Sequence, residues 1–95
     1  MKTAQRTFTD FNILTCEIGT TGFMGGDAGH GGKTYVKITD DGATCWSITI
    51  IDDKGRKIVI DQPRSIIITV LGDAELRTLT ECLQWAGKEV EKLSS

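Results

Sequence analysis

The sequence predicts an α+β domain, an antiparallel sheet of about five strands followed by one C-terminal helix packed on one face. Three observations predict it. Apolar residues alternate with period two through much of residues 8–71. Asp-Asp-Gly and Asp-Asp-Lys-Gly segments interrupt that alternation as turns. From Leu76 onward the apolar spacing changes to threes and fours. With 95 residues the chain accommodates a single domain, 1–95, whose core is real but thin.

Phe8–Ile18 reads as the first strand, with Leu14, Cys16 and Ile18 on one face and Phe11 and Ile13 on the other. A glycine-rich loop follows. Tyr35–Thr39 resumes strand character, and Asp40-Asp41-Gly42 closes it as a turn. Thr44–Ile51 is the clearest strand, because Trp46, Ile48 and Ile50 alternate with Cys45, Ser47 and Thr49. Asp52-Asp53-Lys54-Gly55 turns the chain, and Arg56–Asp61 pairs back as the hairpin partner. Pro63 interrupts before Ser65–Leu71, where Ile66, Ile67 and Ile68 run consecutively. Short connections after Thr39 favour a meander.

The helix is marked by Leu76, Leu79, Leu83, Ala86, Val90 and Leu93 on one stripe, with Cys82 at its edge. Asp73 suits the N-cap and Glu75 the first turn, while Lys88 and Lys92 suit the other end. Gly87 is its weak point. Trp46, Ile48, Leu79, Leu83 and Val90 are the expected core. Trp85 lies off the stripe and is an interface candidate, since tryptophan is enriched in binding hot spots. The other reading is a partly covered side chain at the stripe's edge.

Net charge is −2 with an isoelectric point near 5.3, and no basic stripe is visible. A nucleic-acid polymer is therefore not the expected partner. Cys16, Cys45 and Cys82 are odd in number and form no Cys-x-x-Cys pair, which argues against a disulfide scaffold. They read as core fillers, with no metal expected. Met1–Thr9 is polar and lacks a signal-peptide core, and no apolar run approaches a bilayer span. The expectation is a reduced, cytoplasmic protein with no membrane partner and no cofactor.

Seven of the eleven glycines lie between Gly19 and Gly32, together with the only histidine. In Gly25-Gly26-Asp27-Ala28-Gly29-His30-Gly31-Gly32-Lys33-Thr34 the phosphate-loop spacing fails. The first glycine would have to stand at Asp27, and a strand rather than a helix follows. The dinucleotide pattern fails as well, because no βαβ unit surrounds it. A looser possibility stands: successive N–H groups of a glycine-rich turn form an anion-binding concavity. Gly25, Gly26, Asp27, Gly29, His30, Gly31, Gly32, Lys33 and Thr34 are the candidate ligand-binding residues, against a flexible connection that binds nothing. Asp27 and His30 are also an acid–base pair in outline, but no nucleophile accompanies them beyond threonine hydroxyls, so no catalytic residue is assigned.

In size, mild acidity and strand–helix plan the chain resembles small proteins carried by bacteriophages and prophages. The run Gly-Gly-Asp-Ala-Gly-His-Gly-Gly at 25–32 is similar to a loop of uncharacterised members of that group. The resemblance implies candidate functions in inhibiting host defence, by binding a host protein or by sequestering a nucleotide second messenger. It carries over no residue role.

Three expectations follow. The first is a non-enzymatic, oligomeric binder of a small phosphorylated or nucleotide-like ligand, with the glycine loop as its pocket. The second is a protein-interaction module acting on a host factor, and the third a small hydrolase using Asp27 and His30. Both sheet faces carry apolar side chains that one helix cannot cover, so a homodimer or higher homo-oligomer is expected.

Overall fold

Alternation along extended backbone sorts residues 2–71 into six strands, and the change of period produces one helix. The computed structural model describes residues 1–95, in the order β1 (Lys2–Thr9), β2 (Ile13–Thr20), β3 (Lys33–Gly42), β4 (Ser47–Ile51), β5 (Lys57–Asp61), β6 (Ser65–Leu71) and α1 (Asp73–Leu93). The class is α+β, as the sequence predicts. The strands form an antiparallel four-stranded sheet, ordered β1-β2-β3-β6, and a separate two-stranded sheet, β4-β5.

Six strands replace the five expected, and the extra one is β1. Lys-Thr-Ala-Gln-Arg-Thr-Phe-Thr holds one large apolar residue, Phe8, so hydrophobic alternation is silent there. It lies at the sheet edge and is exposed along its whole length. Charged residues such as Lys2 and Arg6 are what discourage an edge strand from pairing with another chain. Asp40, Asp41 and Gly42, expected as a turn, belong to β3. Asp40 Oδ1 accepts the Gly42 N–H at 2.9 Å, and the chain reverses just beyond, where Ala43 has φ 59°.

The chain divides into two compact units. The first comprises Met1–Thr3, Gly19–Tyr35 and Thr69–Ser95, and the second Ala4–Ile18 and Val36–Ile68. In the second unit one sheet face is polar. Thr7 bonds Thr15 at 2.9 Å, Thr15 donates to Asp41, and Thr39 bonds Ser65 at 2.9 Å. A shallow concavity of about 400 Å³ opens on that face among Gln5, Thr7, Glu17, Lys37 and Asp41. Residues of the opposite parity, Leu14, Val36, Ile38 and Ile66, are buried or half-buried and make up what core this unit has.

The hairpin β4–β5 follows its turn sequence. Its register pairs Ile48 with Ile60 and Ile50 with Ile58. Asp52 organises the turn by accepting the backbone N–H groups of Arg56 and Lys54, both at 2.9 Å, and the Arg56 guanidinium. These bonds, led by the Arg56 backbone N–H, hold its carboxyl below the usual carboxylate range. Trp46 precedes β4, with its indole N–H donating to the Pro63 carbonyl at 2.8 Å.

The expected core is corrected by the observed burial. Trp46, Ile48 and Leu79 are half-buried, and Leu83 and Val90 are exposed. The apolar stripe is real, yet α1 buries none of its residues. Periodicity reports which side chains share a face and is blind to whether anything covers that face. Cys45 and Cys82 are also exposed rather than core, and Cys16 is half-buried.

Candidate functional site

The glycine loop, residues 21–32, connects β2 to β3 within the first unit, and hydrogen bonds fix it at its base, tip and flank. At the base, Thr20 and Thr34 share a hydroxyl–hydroxyl bond of 2.8 Å. The Thr21 N–H donates to the Lys33 carbonyl at 3.0 Å, and the Lys33 N–H returns to the Thr21 hydroxyl at 2.9 Å. At the tip, the His30 N–H closes a turn on the Asp27 carbonyl at 3.0 Å. Gly31, at φ 93°, brings its backbone against Gly26, where an added Cβ would stand 2.8 Å from the Gly26 nitrogen. Only glycine satisfies both conditions.

The flank of the loop is locked to the start of α1. A helix begins with N–H groups that have no partner inside it. Gly72 is the N-cap residue and offers no side chain. This corrects the expectation that Asp73 caps the helix. The cap comes instead from the loop, as Asp27 Oδ1 accepts the Ala74 N–H at 2.7 Å. The Gly26 carbonyl takes the Asp73 N–H at 2.6 Å, and the Gly32 carbonyl takes the Gly72 N–H at 2.9 Å.

The helix reciprocates. Asp73 accepts the Met24 and Gly25 N–H groups on its two carboxylate oxygens, each at 2.8 Å. Glu75 accepts the Ala28 N–H at 2.7 Å, and the Gly29 N–H bonds the Leu71 carbonyl at 3.0 Å. Gly72 is required here too. Its φ is 124°, and a Cβ would lie 2.9 Å from the Asp27 Cα. The Arg77 guanidinium adds a contact at 5.6 Å from the centre of the Phe23 ring.

The loop therefore offers N–H groups of the kind that bind anions, and the chain's own carboxylates occupy three of them. Asp73, Glu75 and Asp27 also sit at the positive end of the helix dipole, where negative charge is favoured. A phosphate arriving at Met24, Gly25 or Ala28 would have to displace a carboxylate and would meet like charge. Of the residues singled out in sequence, Gly25, Gly26, Asp27, Gly29, Gly31 and Gly32 build this lock. Thr34 commits its hydroxyl to Thr20. His30 and Lys33 are exposed. Asp27 and His30 are joined through backbone atoms, and the Asp27 carboxylate serves the helix, so the arrangement brings no imidazole–carboxylate pair together.

Trp85 stands 67% exposed on α1. Two further features have a role that the sequence pattern does not assign them. Asp73 and Glu75 read as ordinary acids of a helix start, although a donor-rich loop upstream was a signal that they had another use. The hairpin residues Ile58, Val59 and Ile60 are all exposed. No helix is long and apolar enough to cross a membrane. Comparison with family models, with curated proteins and with solved structures finds no match.

Proposed function

We propose that the chain is a non-enzymatic protein-interaction module that works through apolar contact with protein. The observation that carries this reading is how little the chain buries. Val36, at 8% exposure, is its one buried hydrophobic side chain, while eighteen large apolar residues stand exposed. Trp85, off the helical stripe and exposed, has the chemistry of a hot-spot anchor.

A second reading, binding of a small phosphorylated or nucleotide-like ligand at the glycine loop, has a narrower basis. It rests on the fixed shape of the loop and on the exposed His30 and Lys33 side chains at its rim. In that reading the two side chains, rather than the backbone N–H groups, hold the ligand.

Native mass spectrometry of the purified chain, alone and with nucleotides and inorganic phosphate, separates the readings. A protein-interaction module gives spectra unchanged by every small molecule added. One nucleotide retained per chain, and lost in His30→Ala and Lys33→Ala, overturns it in favour of the loop. A chemically altered nucleotide overturns the non-enzymatic assignment.

A further inference from the structure

The polar sheet face of the second unit is hollow at its centre, and the lengths of its side chains say why. Strand alternation brings short hydroxyl residues to the middle: Thr7 from β1, Thr15 from β2 and Thr39 from β3. The longer Gln5, Glu17 and Lys37 stand two residues away on the same strands and raise a rim. The resulting concavity of about 400 Å³ falls within the range of small-molecule sites, about 300–1,000 Å³. Every side chain that lines it is polar or charged.

The direction of its hydrogen bonds is fixed. A hydroxyl has one proton to give. Thr15 gives its own to Asp41 Oδ2, so in the 2.9 Å bond between Thr7 and Thr15 the donor is Thr7. The relay runs from Thr7 through Thr15 to Asp41, and the two threonine oxygens offer an incoming molecule lone pairs only. Acceptors oriented in advance lower the cost of binding. At the rim Lys37 has the opposite polarity, with N–H donors and no acceptor.

We infer that this concavity binds a neutral polyhydroxylated molecule, a mono- or disaccharide. The charges decide against other small polar ligands. Glu17 and Asp41 repel a phosphate or carboxylate, and Lys37 opposes an organic cation. The lining assembles no set of three metal-ligating side chains. A sugar hydroxyl is both donor and acceptor, so it satisfies the threonine and carboxylate oxygens as readily as the Lys37 ammonium. Neighbouring hydroxyls can also span the oxygen and nitrogen of the Gln5 amide. This site uses none of the apolar side chains that carry the protein-interaction reading, so either can fail without the other.

Water competes for every bond on so open a face. Dissociation constants of about 1–10 mM are therefore expected. The test is a titration of the isotope-labelled chain, followed by backbone amide NMR shifts. The probes are glucose, galactose, mannose, N-acetylglucosamine, maltose and lactose, each taken to about 0.1 M. At least one is expected to give saturable shifts centred on Thr7, Thr15, Lys37 and Asp41, while inorganic phosphate and putrescine give none there. Thr15→Val keeps the shape, breaks the relay and is expected to weaken that sugar about fivefold, the worth of one hydrogen bond in water. No saturable shift with any of these sugars overturns the inference. Saturation by phosphate or putrescine overturns the ligand class, and sugar shifts centred on other residues overturn the site. Unchanged affinity in a folded Thr15→Val overturns the relay as the recognition element; if that variant does not fold, the wild-type shifts decide.

Discussion

A carboxylate in the first turn of a helix ordinarily answers that helix's own N–H groups, and Asp73 does not. Both its oxygens accept N–H groups of the glycine loop, while Asp27 of the loop reaches back to the helix. Each side chain does for the other element what its own backbone cannot. Asp73→Asn keeps the shape but removes the charge and turns an amide NH₂ toward an N–H donor. Hydrogen bonds to a charged group contribute about 1.5–3 kcal/mol, so a loss of stability in that range is expected from urea denaturation. Asp27→Ala removes the cap on Ala74 and is expected to cost about 0.5–2 kcal/mol. Because the two carboxylates brace one loop–helix junction, the double variant should fall short of the sum. Strict additivity would mean that the two halves of the lock act independently.

At the scale of elements, the hairpin turn has a built-in pH dependence. The Asp52 carboxyl is held below the ordinary range, first by the Arg56 backbone N–H and also by the Arg56 side chain and the Lys54 N–H. A group whose folded pKa is depressed stabilises the fold above its unfolded pKa, and that contribution disappears as pH falls through the folded pKa. Protection of the β4 and β5 amides, taken as exchange relative to the intrinsic rate at each pH, should therefore fall as pH drops through the folded pKa, and Asp52→Asn should lose that change in protection. In α1, Gly87 is exposed and an added Cβ would meet nothing within 4 Å. Gly87→Ala is thus expected to stabilise the helix by about 0.8–1 kcal/mol, seen as a higher Tm. The hairpin and helix were legible in sequence because Asp-Asp-Lys-Gly and the stripe from Leu76 to Leu93 are local signals. β1 was not, because an exposed edge strand has no buried face to write into the sequence. The loop's glycines were visible, but their use was not, since Asp73 and Glu75 lie more than forty residues away and only the fold brings them to Met24, Gly25 and Ala28.

For the whole molecule the decisive quantity is the exposed apolar surface. Hydrophobic stabilisation is proportional to the area removed from water, about 25 cal/mol per Å². A chain that leaves Ile50, Ile58, Leu83, Trp85 and Val90 exposed has withheld much of that stabilisation from its own fold. If association supplies it, folding and assembly are one equilibrium and stability must depend on protein concentration. For a dimer that dissociates as it unfolds, each tenfold increase in concentration adds about 1.4 kcal/mol to apparent stability. Thermal and urea transitions measured from one to one hundred micromolar should therefore move upward together. Because the contact is apolar, sulfate should raise the wild-type transition. A wild-type transition independent of concentration, at the monomer mass, would place the missing stabilisation in contact with a different protein.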